Sequence, residues 1–425
     1  MNETEIRNRL EQDGLSSLFA KIYADKEHSE KQKTRYSIAL ERFISIYGDG
    51  DLQIYSAPGR TELAGNHTDH QHGEVLAASI NRDAIAIVKK DEESLVRVVS
   101  DGFEEVCIDS RDTAKRAEEE GTTAALIRGV LAGLKEHGKH VGGFYAYITS
   151  DVLIGAGLSS SATFETLIGT IESGLYNDGK VPAVELAIIG QYAENVYFGK
   201  PCGLMDQMAC SVGNLVHIDF ADPADPQIEQ LSFDFAAKGY CLCITDTKGS
   251  HADLTADYAA VPAEMKQAAA WFGKDFLREV DEDEFVAAIP ALRQHCGDRA
   301  VLRALHFYDE NRRVQNDVAA LKRGDFEEFL KGVNASGASS FNYLQNVYTN
   351  HDVEHQNVSL ALCLAQRALQ GEGAVRVHGG GFAGTMQAWV PAERLPAYRS
   401  IMDAVFGAGA CEVLAIRPCG GTRIL

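Results

Sequence analysis

Positive charge is scarce in this chain. Its 40 Lys and Arg stand against 61 acidic residues, a formal charge of −21. Nucleic-acid grooves and anionic membrane surfaces need a basic footprint, so neither is expected as a partner. An anionic substrate would need a local positive site. No apolar run approaches the roughly 18–20 residues of a membrane span. The opening MNETEIRNRLEQDG is polar and mixed in charge, unlike a signal peptide. The nine cysteines are odd in number and none forms a CxxC pair. Cys241 and Cys243 alternate in an apolar, strand-like run, which fits reduced thiols in a cytoplasm. The P-loop pattern GxxxxGKS/T is absent, which argues against that class of nucleotidase. So is a GxGxxG turn with an acidic residue about 20 positions on, as a dinucleotide site requires. No internal repeat or low-complexity tail is present.

A chain of 425 residues, 45% hydrophobic and 24% charged, reads as a soluble globular α/β protein of about two domains. Helical spacing runs through residues 1–48. A short strand is expected at 52–58. Residues 84–88 and 95–99 look like a strand pair across a charged turn, and 111–120 like a solvated helix or loop. Further helices are expected near 123–136, 160–174, 183–198, 258–271, 299–322, 325–336, 354–369 and 393–406. The ADPADPQ stretch after Phe220 is loop-like. It divides the chain into expected domains of 1–225 and 226–425.

The most informative stretch is IGAGLSSSAT, Ile154 to Thr163. An apolar run (Phe144 to Ile148) precedes it and a helix-forming segment follows. Strand, glycine turn and helix start put unpaired backbone N–H groups around an anion, with hydroxyls for phosphate or metal. Alone, it also fits a small-residue helix start packed under a sheet. Asp206 is a lone acid in the apolar run PCGLMDQMACSVG. It is costly to bury unless it caps a helix or sits beside a cation. Arg60, in a glycine turn after a strand, is the candidate cation. An Asp beside it stays ionised and can orient or deprotonate a hydroxyl, while the Arg stabilises a transferring group. Ser161 and Glu194 form a possible Mg²⁺ pair. His67, Asp69, His70 and His72 invite a transition-metal reading, but their spacing matches no closed-site motif. His351 and His355, four apart, fit an exposed helix start better than a metal site.

These residues resemble a known family. APGRTELAGNHTDHQHGEVLAASI, IGAGLSSSAT and VHGGGFAGT resemble, in order and spacing, the three motifs of the GHMP sugar kinases, and specifically of the galactokinase family. PCGLMDQ with its upstream AEN, and HADLTADYAAVPAEM, resemble two further family segments. The resemblance runs from about residue 35 to the C terminus. It implies a ribosomal-S5-like N-terminal domain and a ferredoxin-like C-terminal domain, with the active site in the cleft between them. It implies ATP and Mg²⁺ as cofactors and phosphorylation of a sugar at its anomeric hydroxyl. Asp206 would be the catalytic aspartate and Arg60 its partner. Gly155, Ala156, Gly157, Leu158, Ser159, Ser160 and Ser161 would cradle ATP, with Ser161 and Glu194 on the metal. Asn66, His67, Asp69, Gly203 and Tyr258 would contact the sugar, and Gly379 to Phe382 would close against the active site from the second domain. A cytoplasmic monomer or weak homodimer is expected.

The chain also departs from the family signature. Asn66 stands where the family has glutamate, Glu62 where it has asparagine and His70 where it has tyrosine. Ala64 replaces isoleucine and Ala383 replaces glycine. The family glutamate helps hold the hydroxymethyl end of galactose. Asn there removes a negative charge and adds a donor, so galacturonate or N-acetylgalactosamine become candidate substrates beside galactose. Two other readings are a catalytically silent sugar and ATP sensor, and a metalloenzyme built on the histidines.

Overall fold

The computed structural model describes residues 1–425 except Asp13, Asp25, 153–156 and 250–253, and the side chains of 26–29. Helices α1 (Glu3–Glu11), α2 (Ser16–Tyr23) and α3 (Lys26–Tyr47) lead into strands β1 (Leu52–Ala64), β2 (Glu74–Asp91), β3 (Leu95–Ser100) and β4 (Val106–Asp109). Next come α4 (Thr123–Glu136), β5 (Gly143–Ser150), α5 (Ser160–Tyr176), α6 (Ala183–Tyr192), α7 (Met205–Val212), β6 (Leu215–Asp219) and β7 (Gln227–Leu231). The second half holds β8 (Tyr240–Asp246), α8 (Thr255–Ala270), α9 (Glu282–Arg323), α10 (Phe326–Ser339) and α11 (Asn357–Leu369). It ends with β9 (Ala374–His378), β10 (Thr385–Pro391), α12 (Leu395–Phe406), β11 (Cys411–Leu414) and β12 (Thr422–Arg423).

Among the described residues the strands form two sheets. The larger runs β12-β1-β2-β5-β3-β4, with β6 paired to the first half of β2 and β7 to β6. The smaller is β11-β8-β10-β9. Both β7 and β12 lie beyond residue 225, so the first sheet draws chain from either side of the expected boundary. The expected pairing of 84–88 with 95–99 does not form. β5 lies between β2 and β3, antiparallel to the first and parallel to the second. Its run Phe144 to Ile148 is apolar and mostly buried, and such a strand belongs in the sheet interior. The expected helix at 299–322 is the second part of α9, which is broken at Gly297 (φ 82°); the first part, from Glu282, was not expected. The stretch 111–120 holds only a short 3-10 turn, Ala117–Glu119.

The first sheet is packed on both faces. One face carries α1 to α3, through Phe19, Tyr36, Phe43, Ile54 and Ile85; the other carries α4 to α6, through Leu131, Leu167 and Ile189. A further core joins the two sheets: Leu63 and Leu76 pack with Val314, Phe329 and Trp389. Burial of such apolar area, at about 25 cal/mol per Å², fixes how the two sheets meet. No helix among the described residues is long and apolar enough to cross a membrane. All nine cysteines are unpaired.

Candidate active site

The site begins at an irregularity in β1. The register against β2 shifts between Pro58 and Arg60, and again between Glu62 and Ala64. Proline cannot donate to the ladder, and such a bulge re-aims the next side chain. Gly59 is required there, since a Cβ would lie 2.9 Å from the Leu158 carbonyl oxygen. The Arg60 N–H donates to that same carbonyl at 3.1 Å. The glycine–serine loop is thereby tied to the strand that carries the arginine.

Asp206 lies in the first turn of α7, but the N-cap is Leu204 and no side chain caps the helix, so of the two expectations the helix cap fails and the cation partner holds. Arg60 Nε donates to its Oδ1 and Nη2 to its Oδ2, each at 2.6 Å, a two-pronged charge-assisted pair. Arg60 Nη1 donates to the Gly157 carbonyl. Ser159 Oγ donates to Asp206 Oδ2 at 2.6 Å. Burial alone would raise the Asp206 carboxyl; the Arg60 guanidinium and the bonds from Arg60 and Ser159 hold it below its usual value.

Ser159 is the N-cap of α5, with φ 61° and no capping bond from its side chain. Its hydroxyl serves Asp206 instead. The first-turn N–H groups of α5 have no acceptor within the helix, and their position beside Arg60 suits phosphate. Gly157 (φ 67°) sits against the second sheet, where a Cβ would lie 2.8 Å from Thr385 Oγ1. Gly155 and Ala156 lie outside the described residues; Gly157 to Ser161 lie within them.

Behind the loop is an acidic cluster. Glu194, on a single wide turn (Ala193–Phe198) that extends α6, is 2% exposed. Its Oε1 accepts from Ser161 Oγ and from Lys200 Nζ, each at 2.9 Å. Its Oε2 accepts from Gln207 Nε2 at 2.8 Å and from the Cys202 thiol at 3.2 Å. Glu165 lies alongside, with Oε2 held by Gln207 and Oε1 without a partner. Burial and then Glu194 push its carboxyl well up. Neither Glu165 nor Lys200 was expected from the sequence. A lone lysine between glycine and proline in FGKPCG was the available signal.

Asp69 and Gly203 meet closely: a Cβ on Gly203 would lie 1.8 Å from Asp69 Oδ2. Burial and the facing Asp206 push the Asp69 carboxyl up to about 6. Burial holds His67 down to about 4 and His70 well below its usual value. Both rings are therefore neutral at pH 7. His67 Nε2–H donates to the Gly380 carbonyl at 3.0 Å, and His67 Nδ1 accepts from His70 Nε2 at 3.2 Å. Tyr258 donates to the Gly381 carbonyl at 2.8 Å, with its ring edge-on to Phe382. The glycine turn 379–382 is thus held from both halves of the chain. The four residues His67, Asp69, His70 and His72 do not converge on a metal geometry. His72 stacks on Phe276, and no metal-ligand group of three His, Cys, Asp or Glu occurs among the described residues. His355 pairs with its neighbour Asp352.

Asn66 is fully buried and all its amide positions are engaged. Its Nδ2 donates to Glu62 Oε1 (3.1 Å) and to the Gly379 carbonyl (2.8 Å). Its Oδ1 accepts from Asn346 Nδ2 (2.9 Å) and Ser340 Oγ (3.2 Å). Glu62 in turn pairs with Arg376, whose side chain is 0% exposed. Asn66 thus ties Glu62 to the glycine turn at Gly379. The charge which the family signature carries at 66 stands here at 62, on a buried arginine.

The fold is that of the GHMP kinases. The family described as GHMP kinases N terminal domain matches residues 125–214. The mevalonate kinase of Methanococcus jannaschii superposes with a TM-score of 0.61 at 14% identity, over 86% of this chain and 99% of that one. Within that class the chain belongs to the galactokinase family. The galactokinase galactose-binding signature matches residues 41–90. A galactokinase of Streptomyces coelicolor is 32% identical over 91% of this chain and 97% of its own length. That of Glaesserella parasuis is 30% identical over 86% and 92%. The structure of Lactococcus lactis galactokinase complexed with galactose superposes with a TM-score of 0.77 at 25% identity, over 92% of this chain and 99% of that one. Membership of this family implies ATP and a sugar as the small-molecule substrates.

Proposed function

We propose that this protein transfers the γ-phosphoryl group of ATP to the anomeric hydroxyl of galactose or a closely related sugar. The observation that carries the reading is the Arg60–Asp206 fork, with Ser159, at the start of α5, donating to the same carboxylate. Phosphoryl transfer is mainly positioning and charge stabilisation. α5 and the loop before it hold the phosphates. Asp206, kept ionised, receives or orients the C1 hydroxyl proton. Arg60 fixes that carboxylate and faces the transferring group. Asp69, given its place by Gly203, accepts a sugar hydroxyl.

Ser161 and Glu194 suit Mg²⁺, which takes one or two carboxylate or hydroxyl oxygens and completes its shell with phosphate and water. Glu165 shares Gln207 with Glu194 and keeps an oxygen without a protein partner; its raised carboxyl would give up its proton most readily beside a bound cation. Bound there, the ion would neutralise phosphate charge. A cytoplasmic location agrees with nine unpaired thiols. A silent sensor is the second reading; the intact serine loop and Arg60–Asp206 pair speak against it.

The sugar preference is expected to be broader than galactose alone. No carboxylate stands at 66, so the distal end of the sugar meets an amide-held glycine turn. The test is ATP-dependent turnover of a panel of hexoses, uronic acids and N-acetylhexosamines. Galactose together with galacturonate or N-acetylgalactosamine is the expected set. Galactose preferred by a wide margin would remove the specificity reading and keep the kinase. No turnover, with ATP still bound, would leave the sensor.

Asp69 gives this reaction a pH signature. Its carboxyl, raised to about 6, takes a proton as pH falls through that value, and the acceptor is lost. The KM for the sugar is expected to rise about tenfold by one pH unit below the pKa, as single-site protonation requires. His67 and His70 are already neutral at pH 7 and add nothing as the pH falls from there to 6. Initial rates from pH 5 to 8 check this, and Asp69→Asn should flatten the acidic limb.

A further inference from the structure

Among the described residues, one cation beside Asp206 has no assigned task. Arg60 is committed to Asp206 on two nitrogens and to the Gly157 carbonyl on a third, so that pair has no net charge. The chain as a whole carries −21. Lys200 is the other cation acting on Asp206. Its Nζ rests on Glu194 Oε1, the same oxygen that accepts from Ser161. Glu194 is buried, whereas the lysine side chain is 61% exposed. A long side chain anchored only at its tip, beside open solvent, can change partner at small cost.

We propose that Lys200 is a further phosphoryl-binding residue, held on the metal's carboxylate in the nucleotide-free enzyme. With no metal bound, the ammonium is the cation on the Ser161–Glu194 pair and offsets the charges of Glu194 and Asp206. With Glu194 taken by Mg²⁺, the ammonium is released to the phosphate oxygens entering beside Asp206. The cleft then gains positive charge at the time the nucleotide needs it. The inference rests on the kinase reading above and deepens it.

The test uses Lys200→Met, a change at a largely exposed side chain, with Lys200→Arg as the conservative variant. Mn²⁺ binding to the nucleotide-free protein, followed by electron paramagnetic resonance, should tighten roughly fivefold in Lys200→Met, the worth of a half-exposed ion pair. Under saturating MgATP, kcat should fall about 100-fold, as when one charge-stabilising donor is removed, with the sugar KM unchanged. Lys200→Arg should recover part of kcat. Unchanged Mn²⁺ affinity overturns the proposal whatever the rate. Tighter Mn²⁺ binding with full kcat overturns it too, because Lys200 then only fills the metal's place. An inactive wild-type protein would defeat the kinase reading itself, a distinct result.

Discussion

Asp206→Asn is expected to lower kcat by about three orders of magnitude, within the 10²–10⁴-fold range of a positioned acid–base group, while nucleotide affinity stays near wild type. Asparagine keeps the shape and can still accept from Ser159 and one Arg60 nitrogen. It cannot carry the negative charge. The sugar hydroxyl then loses its proton acceptor, and the guanidinium is drawn from its fixed place beside the reacting group. The Arg60 charge, 6% exposed, is left without a counter-ion, and a broken buried pair costs about 3–5 kcal/mol. A fall in melting temperature should therefore accompany the loss of rate. The two effects separate with Arg60→Met/Asp206→Asn, which removes both charges. Stability should recover in part and activity should not. Wild-type turnover in Asp206→Asn would remove Asp206 from the mechanism.

The pH behaviour of the wild type gives an independent check. The folded-state value of Asp206 lies below its ordinary one, because its bonds and Arg60 outweigh burial. The stability this pair confers is present above the ordinary carboxylate range. It is lost only as pH falls through the depressed value. The rate should thus decline first near 6, through Asp69, and the fold should survive that decline.

Much of this site was legible because it is built from local chemistry. Arg60 follows Pro58–Gly59, and only a bulged strand end uses that dipeptide well. Ser159 to Ser161 open a helix. Asp206 sits in an apolar run where an acid needs a partner. Each residue announces its constraint within a few positions of chain. Strand pairing was less legible. Of β2 only 84–88 reads as a strand, because polar residues stand before it at Asn81 to Asp83, yet it runs from Glu74 to Asp91. Asp83 is buried against Arg35 and Arg417, and Arg417 lies more than 300 positions away. Charge satisfied at that separation looks, in sequence, like a turn. The same distance hid the partner of Glu62. Read locally, Glu62 and Asn66 are two substitutions in a signature; only Arg376 shows that they form one arrangement.

That arrangement predicts strong coupling. Glu62→Asn alone strands the guanidinium of Arg376, which keeps only carbonyl contacts to Leu63 and Val377. A loss of about 3–5 kcal/mol is expected, as for other broken buried pairs. Asn66→Glu alone places a carboxylate where the amide now donates to the Glu62 carboxylate and to the Gly379 carbonyl. Two buried acids with one arginine between them should cost about 2–4 kcal/mol, or force one to hold a proton. The exchange Glu62→Asn/Asn66→Glu keeps the charge count. The longer carboxylate introduced at position 66 reaches toward Arg376, while the amide introduced at position 62 donates to that carboxylate. The double variant should therefore be more stable than the sum of the singles by about 2–3 kcal/mol, the coupling typical of residues in one buried network. Urea denaturation of the four proteins measures it. The sugar panel run on the double variant should move toward galactose, because a carboxylate again stands at 66. Additive losses would mean that 62 and 66 are independent positions. A restored fold with an unmoved sugar preference would place the specificity elsewhere, with His70 the next residue to exchange.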